Sequence, residues 1–153
     1  MSEEDKLLMT PVSILAAYII ETLGKMTDAS DKSEWPLYKT SMPTGDNVEI
    51  NCGALYNTTG MNESRLMTGL VVTHPGIQLR IRSSTSEIGW VKIEDIADAL
   101  DKVENVDIVV KGKTYRIQNA SRTSPIVPLG QEIGTRRYLF TVNYLLTVRR
   151  IAG

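Results

Sequence analysis

Cysteine and histidine are almost absent from this chain: Cys52 and His74 are the only examples in 153 residues. A single cysteine excludes an intrachain disulfide, and the composition fits a reducing compartment. A single histidine, with no G-x-S-x-G or cysteine-nucleophile pattern elsewhere, leaves neither a hydrolytic triad nor a histidine-bearing metal site with residues to draw on. An excess of charge of one sign is missing too. Lys and Arg number 17 against 18 for Asp and Glu, a formal net charge of −1. A surface built to grip phosphate backbones would be basic, so tight sequence-specific DNA binding is disfavoured. No apolar run approaches the roughly 18 residues that would cross a bilayer. The opening residues 1–6 are acidic rather than basic, so neither a signal peptide nor a membrane partner is expected.

What remains is a globular composition, 42% apolar and 23% charged, which predicts one α+β domain over residues 1–153. Its longest strand pattern lies at 136–150. Tyr138, Phe140, Val142, Tyr144, Leu146 and Val148 alternate with Leu139, Thr141, Asn143, Leu145, Thr147 and Arg149, giving one wholly apolar face that must be covered. The run far exceeds the usual strand of roughly 5–6 residues. It must therefore bend or leave its own domain, where its backbone would be offered to a neighbouring chain.

Two helices are expected. Thr10 and Pro11 suit the N-cap and first turn of one, with Val12, Leu15, Ala16, Ile19, Ile20 and Leu23 as an apolar stripe and Gly24 as its stop; the long strand's apolar face is the expected partner. The spacing of Ser84 and Glu87 predicts a capping box for the second, with Trp90, Ile93, Ile96, Ala97, Leu100 and Val103 inward. Short strands are read at 35–39, 48–52 and 69–73, loops at 27–34, 57–65 and 119–135, and a mobile tail at 1–9. A turn is read at His74-Pro75-Gly76, followed by alternation that turns Ile77, Leu79 and Ile81 inward and Gln78, Arg80 and Arg82 outward. A hairpin about Gly112-Lys113 would set Val110 opposite Tyr115 and Ile108 opposite Ile117.

Chemistry is sparse. Gly112-Lys113-Thr114 ends like a phosphate-binding loop, but Asp107 stands where the first glycine belongs, and strands rather than a helix flank it. Glu94, Asp98 and Asp101 share a helical face without a histidine or cysteine partner, so a solvated acidic face is the simpler reading. Arginines 80, 82, 116, 136, 137, 149 and 150 form local basic strips. No catalytic, cofactor or metal role is assigned to any residue.

The succession Trp35-Pro36-Leu37-Tyr38, Met42-Pro43, Arg65-Leu66-Met67-Thr68-Gly69, the strand His74 to Arg82 ending in Arg-x-Arg, Gly89-Trp90-Val91-Lys92, Leu129-Gly130-Gln131-Glu132 and Arg136 to Asn143 resembles the tail terminator, or minor capsid and tail-completion, proteins of long-tailed bacteriophages. The resemblance covers most of the chain from Trp35 onward. It implies a mixed or mostly antiparallel sheet with two helices packed on one face, and a hexameric ring that caps the tail tube protein and joins it to the head-completion or neck protein. Double-stranded DNA would pass through the lumen without sequence-specific binding. The expected location is the virion's head–tail junction, after assembly in the host cytoplasm, with no enzymatic turnover and no cofactor. A closed ring needs a heterologous interface. The resemblance places it on Pro125, Leu129 and Gly130 of the long loop and on Arg136, Arg137, Asn143 and Arg149 of the last strand, with Arg80 and Arg82 on an exposed sheet face toward a neighbour or the lumen. Other neck or tail-tube components, and a small nucleic-acid-binding domain, are the alternative readings.

Overall fold

The computed structural model describes residues 9–31, 34–43, 51–65, 71–132 and 136–152. Helix α1 spans Pro11–Ala17 and runs on as a π-helical segment, Tyr18–Leu23. Thr10 caps it, its hydroxyl accepting from the Ser13 N–H at 3.2 Å, and the left-handed Gly24 ends it at φ 63°. Strands β1 (Thr27–Asp28), β2 (Pro36–Lys39), β3 (Cys52–Arg65) and β4 (Val71–Ser83) follow, then α2 (Ser86–Asp101). The chain continues through β5 (Glu104–Val110), β6 (Lys113–Arg122), β7 (Val127–Gln131) and β8 (Tyr138–Ala152).

The strands form one mixed sheet in the order β1-β2-β3-β4-β8-β6-β5, with β7 pairing β8. The β1–β2 and β2–β3 pairs are parallel and the rest antiparallel, so the α+β expectation holds. Both helices contribute to a single apolar cluster on one side of the sheet. Helix α1 touches both β3 and β5, which three other strands separate, so the sheet curls around it. The main cover over β8 is α2 rather than α1, which seats on β2, β3, β4 and β5. Of the apolar face, Phe140, Val142, Tyr144, Leu146 and Val148 are all buried, each contributing roughly 2 kcal/mol.

The length of β8 is used within the chain. One edge pairs with β4 from Tyr138 to Val148; the other pairs with β7 over its first residues and with β6 from Tyr144 to Ala152. At the junction the Ser124 hydroxyl accepts the Asn143 N–H at 3.0 Å, and the Thr123 N–H donates to the Asn143 carbonyl at 2.9 Å. Strands β6 and β7 are thus two halves of one interrupted strand. The predicted loop 119–135 is corrected accordingly: Asn119 to Arg122 belong to β6 and Val127 to Gln131 form β7, while 133–135 lie outside the described residues.

Other expectations change as well. Residues 57–65 are the second half of β3, not a loop, and Thr27–Asp28 within the predicted loop 27–34 pair with β2. His74-Pro75-Gly76 is strand rather than turn. The β4–β8 ladder keeps one register on either side of Pro75 but skips His74 and Pro75, as a proline without N–H requires, and β3 bulges opposite them. Thr85, not Ser84, caps α2, accepting from Ile88 N–H at 3.2 Å. The hairpin loop is Lys111-Gly112, both at positive φ (50° and 77°), the type I′ requirement. Its register sets Ile108 opposite Tyr115 and Val106 opposite Ile117. The predicted tail 1–9 and strand 48–52 fall largely outside the described residues, although Met9 packs against the core and Cys52 begins β3.

Candidate interaction surface

Two surfaces hold the residues singled out by sequence. The first is a groove of about 690 Å³ between the start of α2 and the β7–β8 pair, lined by Glu87, Trp90, Val91, Pro128, Gly130 and Leu139 among others. Its floor is apolar because Phe140 points inward from β8 and meets Trp90 edge to face, centroids 6.2 Å apart at 64°. The helix can lie this close because position 89 is glycine: a Cβ there would collide with the Ser83 hydroxyl and the Phe140 ring. The rim is unusually apolar for an exposed surface. Trp90 and Val91 on α2 and Pro128 on β7 line the groove and are exposed, Val91 by 66%; Ile88, Val127 and Leu129 are exposed on the same two elements but do not line it. Every residue of β7 is exposed. An open apolar groove with an exposed tryptophan and valine on its wall is the kind of surface that takes part in interactions.

The second surface is the sheet face opposite the helices. Register aligns Arg80 of β4 with Thr141 of β8, Gln78 with Asn143, and Arg116 of β6 with Arg149. Arg80 lies 5.3 Å from the centroid of the Tyr56 ring and donates to Gln78 Oε1 at 3.3 Å. Arg80 Nε, Asn143 Oδ1 and Arg149 Nε are buried with no hydrogen-bond partner among the described residues. Arg116 forms a two-point pair with Asp107 at 2.8 and 3.2 Å, and its guanidinium, through that hydrogen bond, holds the Asp107 carboxyl below its usual value.

Of the predicted contact residues, Pro125, Leu129, Gly130 and Arg136 are exposed on or beside β7, with Gly130 and Arg136 at positive φ. Asn143, Arg149 and Arg80 are half-buried on the polar sheet face. Arg82 and Arg137 are buried. The expectation that Arg82 is exposed is therefore corrected: its guanidinium donates to the Pro43 carbonyl at 2.5 Å and lies 3.7 Å from the Glu132 carboxylate, both of which cross its end of the sheet. Arg122 is likewise paired with Asp101 at 2.5 Å. Of the basic strips, Arg82 and Arg137 are thus buried and Arg116 is held by Asp107, which removes these three from ready phosphate contact.

Sequence reasoning missed the α2 side of the groove. Trp90 was expected in the core stripe and is 39% exposed; Ile88 and Val91 interrupt the polar face of the helix, and that interruption was the available signal. Tyr144, at the bottom of the same core, donates to the Ala97 carbonyl at 3.1 Å. Burial first, and then the Asp101 charge, raise its hydroxyl well above the ordinary tyrosine value. Lys92, over the Trp35 ring and bonded to the Lys25 carbonyl, is shifted down by burial. Among the described residues no group of three His, Cys, Asp or Glu could hold a metal ion, and no helix is long and apolar enough to cross a membrane. The chain matches no protein-family model and no curated protein.

Proposed function

We propose that this chain is a structural subunit of a phage tail, of the tail terminator kind, which acts by self-assembly and docking. Copies join in a closed ring on the end of the tail tube, stop its growth, and offer the head-completion protein a seat. DNA passes through the ring without sequence-specific recognition. The observation that supports this reading best is the apolar groove beside β7, a fully exposed strand on the sheet's edge. It falls in the segment where the motif order placed the subunit contact. Exposed edge strands beside apolar clefts are protein-docking geometry.

Electron microscopy of the purified protein, alone and mixed with tail tubes, tests it. Rings, or a single cap at one end of each tube with elongation arrested, are the expected result. A protein that stays monomeric at high concentration and leaves tubes bare contradicts the proposal. Open tubes grown by the protein unaided would reassign it to the tail-tube components.

A further inference from the structure

The apolar groove has a complement on the same molecule, at the opposite pole. Strand β8 is 15 residues long, roughly 50 Å if extended. Tyr138, at its start, lines the groove; Ala152, at its end, pairs with Thr114 beside the β5–β6 hairpin tip. The groove pole is acidic. Helix α2 carries Glu87, Glu94, Asp95, Asp98 and Asp101 against a single lysine. Asp95 and Asp98 are paired with Lys25 and Lys102, and Asp101 with Arg122, while Glu87 and Glu94 are exposed and make no ion pair among the described residues. The hairpin pole is basic and narrow. Lys111 and Lys113 flank Gly112, and Val109 just before them is 60% exposed.

We propose that the α2–β7 groove receives the β5–β6 hairpin tip of a second copy of this chain. Val109 enters beside Val91 and Pro128, and Lys111 and Lys113 meet Glu87 on the groove and Glu94 on the adjoining surface beside Val91. The two surfaces differ and lie far apart on one chain, so the contact is heterologous: each subunit offers its groove to one neighbour and its hairpin to the other, and the series closes when the rotation allows. An acidic rim repels acidic partners and nucleic acid, and favours a basic apolar tip of this kind. The inference rests on the ring reading above and names the surfaces that meet.

Charge reversal tests it. The Glu87→Lys/Glu94→Lys protein and the Lys111→Glu/Lys113→Glu protein are each followed by sedimentation velocity. Self-association of either alone should weaken at least about tenfold, since like charges now face each other. An equimolar mixture of the two, and a chain carrying all four substitutions, should regain it; recovery on mixing also shows that both variants fold. Wild-type association should fall as salt rises. Variants that associate as well as wild type, or a loss that neither the mixture nor the combined chain restores, overturn the inference. Capping of tail tubes separates the two readings: a wild-type protein that caps tubes while the reversals change nothing loses this interface and keeps its function. One that neither associates nor caps loses both.

Discussion

Arg82 shows what a period-two pattern can and cannot say. Alternation correctly assigned it to the face opposite Ile81, but whether that face is covered depends on segments distant in sequence. The Pro43 carbonyl and Glu132 close over the guanidinium, which is fully buried. Removing it takes away the bond to the Pro43 carbonyl and the charge facing Glu132, and opens a cavity where a fully buried side chain stood. Arg82→Ala is therefore expected to lower the unfolding free energy by about 3 kcal/mol in urea titration. Arg116→Ala is the contrast: its pair with Asp107 stands in solvent, and the midpoint should hardly move. If the two variants unfold alike, burial of Arg82 is not what holds that end of the sheet.

Among the elements, those whose chemistry is local were legible. Thr10, Pro11 and Gly24 bounded the first helix, and the apolar spacing of Ile93, Ile96, Ala97 and Leu100 located the second. The inward residues of β8 could be read one by one. The second half of β3 was not legible, because Asn57-Thr58-Thr59-Gly60 has no alternation and becomes strand only when β4 supplies its partners. Pro125, Pro128 and Gly130 disguised β7, yet proline is admissible on an edge strand. The hairpin register was displaced by two residues, a shift that leaves every side chain on its own face and so escapes a pattern argument. Gly89 carries the prediction at this level. An alanine there must push α2 away from Ser83 and Phe140, so Gly89→Ala should cost about 1–3 kcal/mol in the same titration and widen the groove, whereas Ile88→Ala on the exposed side should be nearly neutral. Equal effects would mean that α2 does not depend on this close approach.

At the scale of the whole molecule, the site was half legible: the β7 side of the groove lay within the expected segment, and the α2 side did not. Trp90 makes the proposed association measurable. It is 39% exposed on the groove rim, and the only other tryptophan, Trp35, lies beneath Lys92. Emission should shift to the blue as concentration rises, and Trp90→Phe should abolish the shift; association by light scattering without any shift would place the contact elsewhere. The position of β8 has a further consequence. The strand at the middle of the sheet is the last described element in the chain, and its partners β4, β6 and β7 are all made before it. During synthesis those strands wait with unpaired edges and no floor beneath the groove. A ribosome-bound or prematurely ended chain therefore has no finished surface to offer a neighbour. For the proposed ring, this order means that a subunit becomes competent to associate only once β8 has been translated, so that incomplete copies are kept out.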